Sequence, residues 1–214
     1  MLQQRWRDLT FLHWPVDPDV VAPLLPAGTE PDLFGGSTWV GLVPFRVTGL
    51  PLPFLETNVR LYAVDGRGRR GVVFRSLEAS RLLPVLAARA TLRLPYTWAR
   101  MSLQVRGPER TYRTARRWPG PVGAGSTVRV RVGERLEPDP LADFLTARWQ
   151  LFATWYAGRS VCVPVAHEPW TLHAAEVLDL ADDLVRTAGL VVDGPPHVLW
   201  SPGVRARIGR PVRL

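Results

Sequence analysis

Polar and apolar side chains alternate along residues 56–62. The polar ones are Glu56, Asn58, Arg60 and Tyr62. In a β-strand successive side chains point to opposite faces, so these four would share one face, with alternate Cα atoms ~7 Å apart. Arginine can bind a carboxylate through two parallel hydrogen bonds. A glutamic acid beside apolar walls can have a raised pKa and transfer protons. The row therefore contains groups that could bind and act on one small polar ligand.

The same row has two structural interpretations. On the outer face of an ordinary sheet it would be solvated, or Glu56 and Arg60 would form a structural ion pair. In a closed barrel the row could instead line an interior pocket. The residues by themselves leave both interpretations open.

Other motifs exclude several kinds of site. The histidines are His13, His167, His173 and His197. None forms an i,i+4 pair or joins a cysteine or carboxylate cluster, so no metal site is predicted. Residues 66–71 match the spacing of a dinucleotide fingerprint, but strand-like residues 72–74 follow where that fingerprint requires a helix. We therefore reject a dinucleotide site and expect no cofactor.

Composition favours one soluble domain over residues 1–214. The chain is 46% hydrophobic, and its 21 prolines and 18 glycines lie between apolar runs, as turn residues do. Cys162 is the single cysteine, so an intrachain disulfide is excluded. No apolar run reaches the ~18 residues of a membrane span, and the N-terminal residues do not resemble a signal peptide. We expect a cytoplasmic protein with no membrane partner.

All the positive charge of this chain is arginine, and the formal net charge is +8. The absence of lysine indicates a compositional bias across the whole chain. Residues 106–135 are the most basic region, and such a strip could contact phosphates. It lacks a recognised nucleic-acid motif, and Arg129 and Arg131 alternate with valines as on the solvated face of a strand. Nucleic acid is therefore an unlikely partner.

Strand signals outnumber helix signals. Strands are predicted at 37–47, 56–64, 71–78, 98–106, 111–118 and 126–136, among others. Asp139 followed by Pro140 is typical of a helix start. Apolar residues then recur at three- and four-residue spacing as far as Trp155. This pattern predicts one long helix that ends at Gly158, so the fold class is mainly β with a few helices.

Read together, several motifs resemble the YqjF-like family of bacterial proteins, over roughly residues 3–209. They are Phe11-Leu12-His13-Trp14, Gly35-Gly36-Ser37-Thr38-Trp39-Val40-Gly41-Leu42-Val43-Pro44-Phe45, the stretch 56–62, Gly71-Val72-Val73-Phe74-Arg75-Ser76-Leu77-Glu78-Ala79, Ala88-Arg89, Leu94-Pro95-Tyr96 and Glu168-Pro169-Trp170. That family looks like a distant relative of acetoacetate decarboxylase. The resemblance implies a closed, mainly antiparallel, cone-like β-barrel with an interior pocket.

The same resemblance implies where the chemistry departs from the decarboxylases, which use a Schiff-base lysine. The corresponding segment here resembles residues 88–97, and Tyr96 falls where the reactive lysine would be. With no lysine in the chain, a lysine Schiff base cannot form. Glu56 and Arg89 match a glutamate and an arginine of the decarboxylases, so the pocket would be retained without its nucleophile.

The predicted ligand pocket consists of Glu56, Asn58, Arg60, Arg89 and Tyr96, and the catalytic candidates are Glu56 and Tyr96. The leading hypothesis is a small-molecule-binding protein, acting as a lysine-independent acid/base enzyme on a keto- or carboxylate-bearing compound. The alternative is a non-enzymatic module that binds or senses the same ligand, and nucleic-acid binding through residues 106–135 is a weaker third. The sequence leaves the ligand's identity and self-association into a homo-oligomer open.

Overall fold

The computed structural model describes residues 2–91 and 93–214. The strands of these residues are β1 (Leu2–Val16), β2 (Thr29–Pro31), β3 (Thr38–Thr48), β4 (Phe54–Asp65), β5 (Arg70–Ala79), β6 (Tyr96–Arg106), β7 (Glu109–Trp118), β8 (Gly125–Leu136), β9 (Gln150–Thr154), β10 (Ser160–His167), β11 (Leu172–Asp182), β12 (His197–Ile208) and β13 (Val212–Arg213). The α-helices are α1 (Pro18–Val21), α2 (Leu82–Thr91), α3 (Pro140–Thr146) and α4 (Leu184–Thr187). Strands dominate, as the sequence predicts.

Two strands, β5 and β12, make the sheet branch. On one edge β5 pairs with β4, and on the other it pairs with β6 through residues 77–79 and with β9 through residues 72–73. On one edge β12 pairs with β1, and on the other it pairs with β11 through residues 199–200 and with β10 through residues 206–208. Each branching strand therefore contributes to two different closed paths of strands.

The two paths are closed rings that share a wall made of β5, β4, β3, β1 and β12. The core ring is completed by β6, β7, β8 and β11, and the cavity ring is completed by β9 and β10. Neighbouring strands are antiparallel except for the pairs β5–β6 and β5–β9. The closed, mainly antiparallel barrel that the family resemblance implies is confirmed.

Both faces of β4 lie inside the molecule because β4 belongs to the shared wall. Its apolar residues Val59 and Leu61 are fully buried, and they pack in the core ring with Tyr112 and Val128. Its alternate residues, beginning with Glu56, face the cavity ring. An outer face exposed to solvent, the first interpretation of the polar row, is therefore excluded.

The long helix predicted after Asp139 is wrong in its second half. The start is correct, since a carboxylate oxygen of Asp139 accepts a hydrogen bond from the amide of Ala142 at 2.7 Å. However, α3 ends at Thr146, and residues 150–154 form β9 between β5 and β10. Phe152 is fully buried in the core cluster. Pairing on both edges of β9 completes the cavity ring. The hydrogen bonds and packing that this pairing provides override the helical periodicity of the sequence.

Candidate ligand-binding cavity

A cavity of about 380 Å³ lies inside the cavity ring, bounded by β1, β3, β4, β5, β9, β10 and α2. Its volume is in the usual range for small-molecule sites. Much of the wall is apolar and includes Val43, Phe45, Phe54, Leu151 and Trp170. Polar groups on β4 and β6 include the predicted pocket residues, and their positions help to define what the cavity can bind.

The structure brings four of the five predicted pocket residues together. Glu56, Asn58, Arg60 and Tyr96 all line the cavity. Arg89 is not among the described lining residues: its guanidinium donates a hydrogen bond to the carbonyl oxygen of Tyr96 at 2.7 Å and lies over the ring of Trp118. Arg89 therefore positions the start of β6 from outside the cavity.

The carboxyl group of Glu56 is buried in the wall of the cavity. Its side chain is 5% exposed, Phe45 lies directly opposite it in the β3–β4 register, and the phenol of Tyr96 donates a hydrogen bond to it at 2.9 Å. Burial raises the pKa of Glu56 to about 8, with a further contribution from the charge of Glu78. The pKa of Tyr96 lies well above its ordinary value because of burial and the neighbouring carboxyl. Near pH 7 both groups are therefore mainly protonated.

The side chain of Asn58 contains a buried acceptor without a partner among the described residues. The residue is 4% exposed, and its Oδ1 atom has no hydrogen-bond partner among the described residues. A buried acceptor without a partner is costly, by about 1–3 kcal/mol. A ligand hydroxyl group could therefore gain affinity by donating to this oxygen.

A hydrogen-bond network that extends to His13 on β1 holds the side chain of Arg60. Its Nε donates to the phenol oxygen of Tyr62 at 3.0 Å, and its Nη2 donates to the carbonyl oxygen of Leu145 at 3.1 Å. The phenol oxygen of Tyr62 lies 2.6 Å from Nε2 of His13. Burial and the charge of Arg60 hold the pKa of His13 well below its ordinary value, so the imidazole is neutral. Tyr62, the last polar residue of the row, thus orients Arg60 and does not line the cavity.

Gly41 leaves the space that this network needs. A Cβ atom on Gly41 would lie 3.0 Å from the ring of His13 and 3.3 Å from Cγ of Arg60. These separations are shorter than ordinary van der Waals contact, so a larger residue would push the two side chains apart. Sequence reasoning considered His13 only as a metal ligand, although His13 and Gly41 both lie in the motifs that carry the family resemblance.

A second cation at the cavity wall, Arg148, was missed because it was assigned to the predicted long helix. Arg148 forms a buried ion pair with Asp32, and its Nε donates to the carbonyl oxygen of Phe144 at 2.7 Å. Burial alone would raise the pKa of Asp32, but hydrogen bonds from Arg70 and Arg148 hold it below the ordinary value. The positive charge of Arg148 is therefore compensated within the protein, which leaves Arg60 as the cavity arginine without a paired carboxylate among the described residues.

The Arg-rich region 106–135 is partly neutralised by carboxylates. Arg129 and Arg131 both pair with Glu109, and Arg131 also pairs with Glu176. Arg116 lies inside the core ring, where it forms an ion pair with the fully buried Glu78. The region is thus not a continuous row of free cations.

Residues 2–91 and 93–214 contain no group of three His, Cys, Asp or Glu side chains that could hold a metal ion. None of the helices in this part of the chain has the length and apolar character needed to cross a membrane.

The ring-closed sheet around an internal cavity is the fold of the acetoacetate decarboxylase-like proteins. The acetoacetate decarboxylase of Legionella pneumophila superposes with a TM-score of 0.67 and 12% identity, over 99% of this chain and 87% of that one. The enduracididine biosynthesis enzyme MppR, solved in complex with pyruvate, superposes with a TM-score of 0.69 and 13% identity, over 99% of this chain and 89% of that one. At such identities the likeness establishes the fold alone.

The chain belongs to the DUF2071 family of uncharacterized conserved proteins, whose model matches residues 3–205. It is 32% identical over 187 residues to the uncharacterized protein YqjF of Bacillus subtilis (strain 168), which corresponds to 82% of this chain and 76% of that protein. The family resemblance stated from the sequence motifs is thereby confirmed.

Proposed function

We propose that the cavity binds a small 2-oxo carboxylic acid and that Glu56 moves a proton between two atoms of this ligand. The observation that carries the proposal is the buried carboxyl of Glu56, whose pKa burial raises to about 8, on the wall of a cavity that Arg60 also lines. A general base is most effective when its pKa lies near the operating pH. The chain has no lysine, so the reaction proceeds without a Schiff base.

We orient the acid by the order of the side chains along β4. Arg60 binds the carboxylate, since a guanidinium and a carboxylate form strong charge-assisted hydrogen bonds. The 2-oxo group then lies near Asn58, and the next carbon, with its acidic hydrogen atoms, lies near Glu56. The bound pyruvate of the structurally similar MppR supports a ligand of this class.

The proposed reaction is the interconversion of keto and enol forms. The Glu56 carboxylate removes a proton from the carbon beside the 2-oxo group, and the electron pair of the broken C–H bond forms the C=C bond of an enolate. The positive charge of Arg60 stabilises the negative oxygen. Glu56 then delivers the same proton to that oxygen, which gives the enol and restores the carboxylate. Asn58 Oδ1 accepts a hydrogen bond from the new hydroxyl group.

Tyr96 acts on Glu56 and not on the ligand. Its phenol donates to the carboxyl of Glu56, and this hydrogen bond favours the ionised form and lowers the pKa of Glu56. Without it the base would ionise only at higher pH. Tyr96 therefore lowers the pH at which the base becomes active.

Deuterium exchange tests this proposal. Proton NMR in D2O would follow exchange at the carbon beside the 2-oxo group of 2-oxobutanoate. We expect catalysed exchange that increases up to about pH 8 and then levels off, because the base must be ionised. Glu56→Gln should abolish exchange and still bind the acid. Tyr96→Phe should shift the profile to higher pH, and Glu109→Gln, outside the cavity, is the matched control for Glu56→Gln.

The same experiment separates an enzyme from a binding module. A melting-temperature increase with 2-oxobutanoate that is lost in Arg60→Ala, without any catalysed exchange, would favour the non-enzymatic ligand sensor. If neither Arg60→Ala nor Glu56→Gln changed any response to the acid, the cavity would not be its site and the proposal would be refuted.

A further inference from the structure

We infer that the substrate carries an aromatic ring, which packs against an aromatic end of the cavity. This aromatic end is defined by Trp6, Phe45, His167 and Trp170, all of which line the cavity. The inference rests on the proposed function and specifies the part of the ligand beyond the 2-oxo acid group.

The two tryptophans of the aromatic end offer only ring surface to a ligand. The indole N–H of Trp6 donates to the side-chain oxygen of Gln4 at 2.9 Å, and the indole N–H of Trp170 donates to the carbonyl oxygen of Thr146 at 2.9 Å. An indole has no other hydrogen-bonding atom. Neither ring therefore has a polar group left for a polar substituent of the ligand.

His167 is committed to the protein in the same way. Its Nδ1 lies 2.7 Å from the carbonyl oxygen of Glu168, and its Nε2 lies 3.2 Å from the carbonyl oxygen of Arg148. Each ring nitrogen therefore lies close to a backbone carbonyl oxygen, and a neutral imidazole donates to one of the two.

The rings are packed in the relative orientations that aromatic groups favour. Trp6 meets Phe45 edge to face, with centroids 6.0 Å apart and an angle of 71°, and lies nearly parallel to Trp170 at 6.2 Å and 13°. His167 lies 4.9 Å from Trp170. An added ring gains from offset or edge-to-face contacts beyond the area it buries. An alkyl chain of similar size lacks this second contribution.

The aromatic end extends from Phe45, beside Glu56, to Trp170, whose ring contacts Phe11 under the guanidinium of Arg60. Phe45 lies opposite Glu56 in the β3–β4 register, and Trp6 lies opposite Val47, whose own partner on β4 is Phe54. Trp6 is therefore placed beyond Glu56, on the side away from Arg60. A substituent on the carbon that Glu56 deprotonates would point toward this end.

The cavity volume agrees with a ligand of this length. A cavity of about 380 Å³ is in the range of sites that hold drug-sized ligands, which are larger than pyruvate. An unfilled apolar end would forgo the contacts that make burial favourable.

Calorimetric titration with three acids that share one head group tests the inference. The probes are pyruvate, 4-methyl-2-oxopentanoate and phenylpyruvate. We expect phenylpyruvate to bind about tenfold or more tightly than pyruvate, as burial of a ring predicts, and more tightly than the branched alkyl acid. Trp170→Leu should remove most of this preference, and Trp170→Phe should retain much of it. Trp118→Leu, the same change outside the cavity, should have no effect.

The outcomes distinguish this inference from the proposed function. If pyruvate or the alkyl acid binds as tightly as phenylpyruvate, or if Trp170→Leu leaves the preference intact, the aromatic substrate is refuted while the 2-oxo acid site stands. If none of the three acids binds and Arg60→Ala changes nothing, the proposed function fails and the inference fails with it. Circular dichroism of each variant establishes that it is folded.

Discussion

Replacing Glu56 with glutamine tests most directly how burial in the cavity changes the pKa of the Glu56 carboxyl group. Glutamine has nearly the shape of a protonated glutamic acid, and its side-chain oxygen can accept the hydrogen bond from Tyr96. The substitution therefore fixes the side chain in a neutral form at every pH. The difference between wild type and variant then isolates the free energy of ionising Glu56 in the folded protein.

The sign and the size of the effect follow from the pKa. In the folded protein the pKa of Glu56 is about 8, against an ordinary value of 4.5. Because the folded-state value is the higher one, the favourable contribution is fully present below pH 4.5 and is lost as the pH rises to 8. At 1.36 kcal/mol for each pKa unit, the complete loss is roughly 5 kcal/mol. Glu56→Gln should not show this loss.

Urea denaturation at a series of pH values between 4 and 9 measures the effect. We expect the free energy of unfolding of wild type, relative to Glu56→Gln, to fall by roughly 4 kcal/mol across this interval, and the steepest change to lie between pH 5 and 8. Parallel curves for the two proteins would show that Glu56 ionises at its ordinary pKa. The description of a dry, apolar wall around this carboxyl would then be wrong.

Three further substitutions test the supports of the cavity and of the fold. Gly41→Ala should weaken 2-oxobutanoate binding and lower the free energy of unfolding by about 1–3 kcal/mol, because the added Cβ crowds the side chains beside it. Calorimetry measures the binding and urea denaturation measures the stability. The control Gly66→Ala, in an open turn, should change neither quantity. Asp32→Asn should lower the urea midpoint by an amount equivalent to about 3–5 kcal/mol, because it leaves the Arg148 charge buried and unpaired, and an unchanged midpoint would contradict the buried ion pair. Phe152→Ala should cost about 3–5 kcal/mol in the same assay; a loss below 1 kcal/mol would indicate that this residue does not pack in the core.

Local signals in the sequence were sufficient for most individual elements. The alternation of residues 56–62 predicts a strand, and Gly66 and Gly68 lie in the turn between β4 and β5. The capping carboxylate of Asp139 lies where its pairing with proline predicts. These features depend on residues close in the chain, so local stereochemistry decides them. The composition, which lacks lysine, independently excludes Schiff-base chemistry.

The position at which the helix after Asp139 ends could not be predicted from the local sequence. Phe152 lies at a helical spacing from the residues of α3. Its segment nevertheless forms β9, because it pairs with β5 on one edge and with β10 on the other. The same change of conformation brings Arg148 to the cavity wall. Pairing between strands that are distant in the chain is a tertiary effect that no periodicity reports.

The polar row of β4 shows most clearly which properties follow from the sequence and which depend on the tertiary structure. The sequence by itself determines that Glu56, Asn58 and Arg60 share one face, because the strand period is two. Only the tertiary structure decides that this face is interior, since β5 and β12 branch and enclose β4 between two rings. Enclosure removes water from the carboxyl of Glu56 and raises its pKa. A residue type set by the sequence thus acquires its chemistry from burial, which depends on strands far away along the chain.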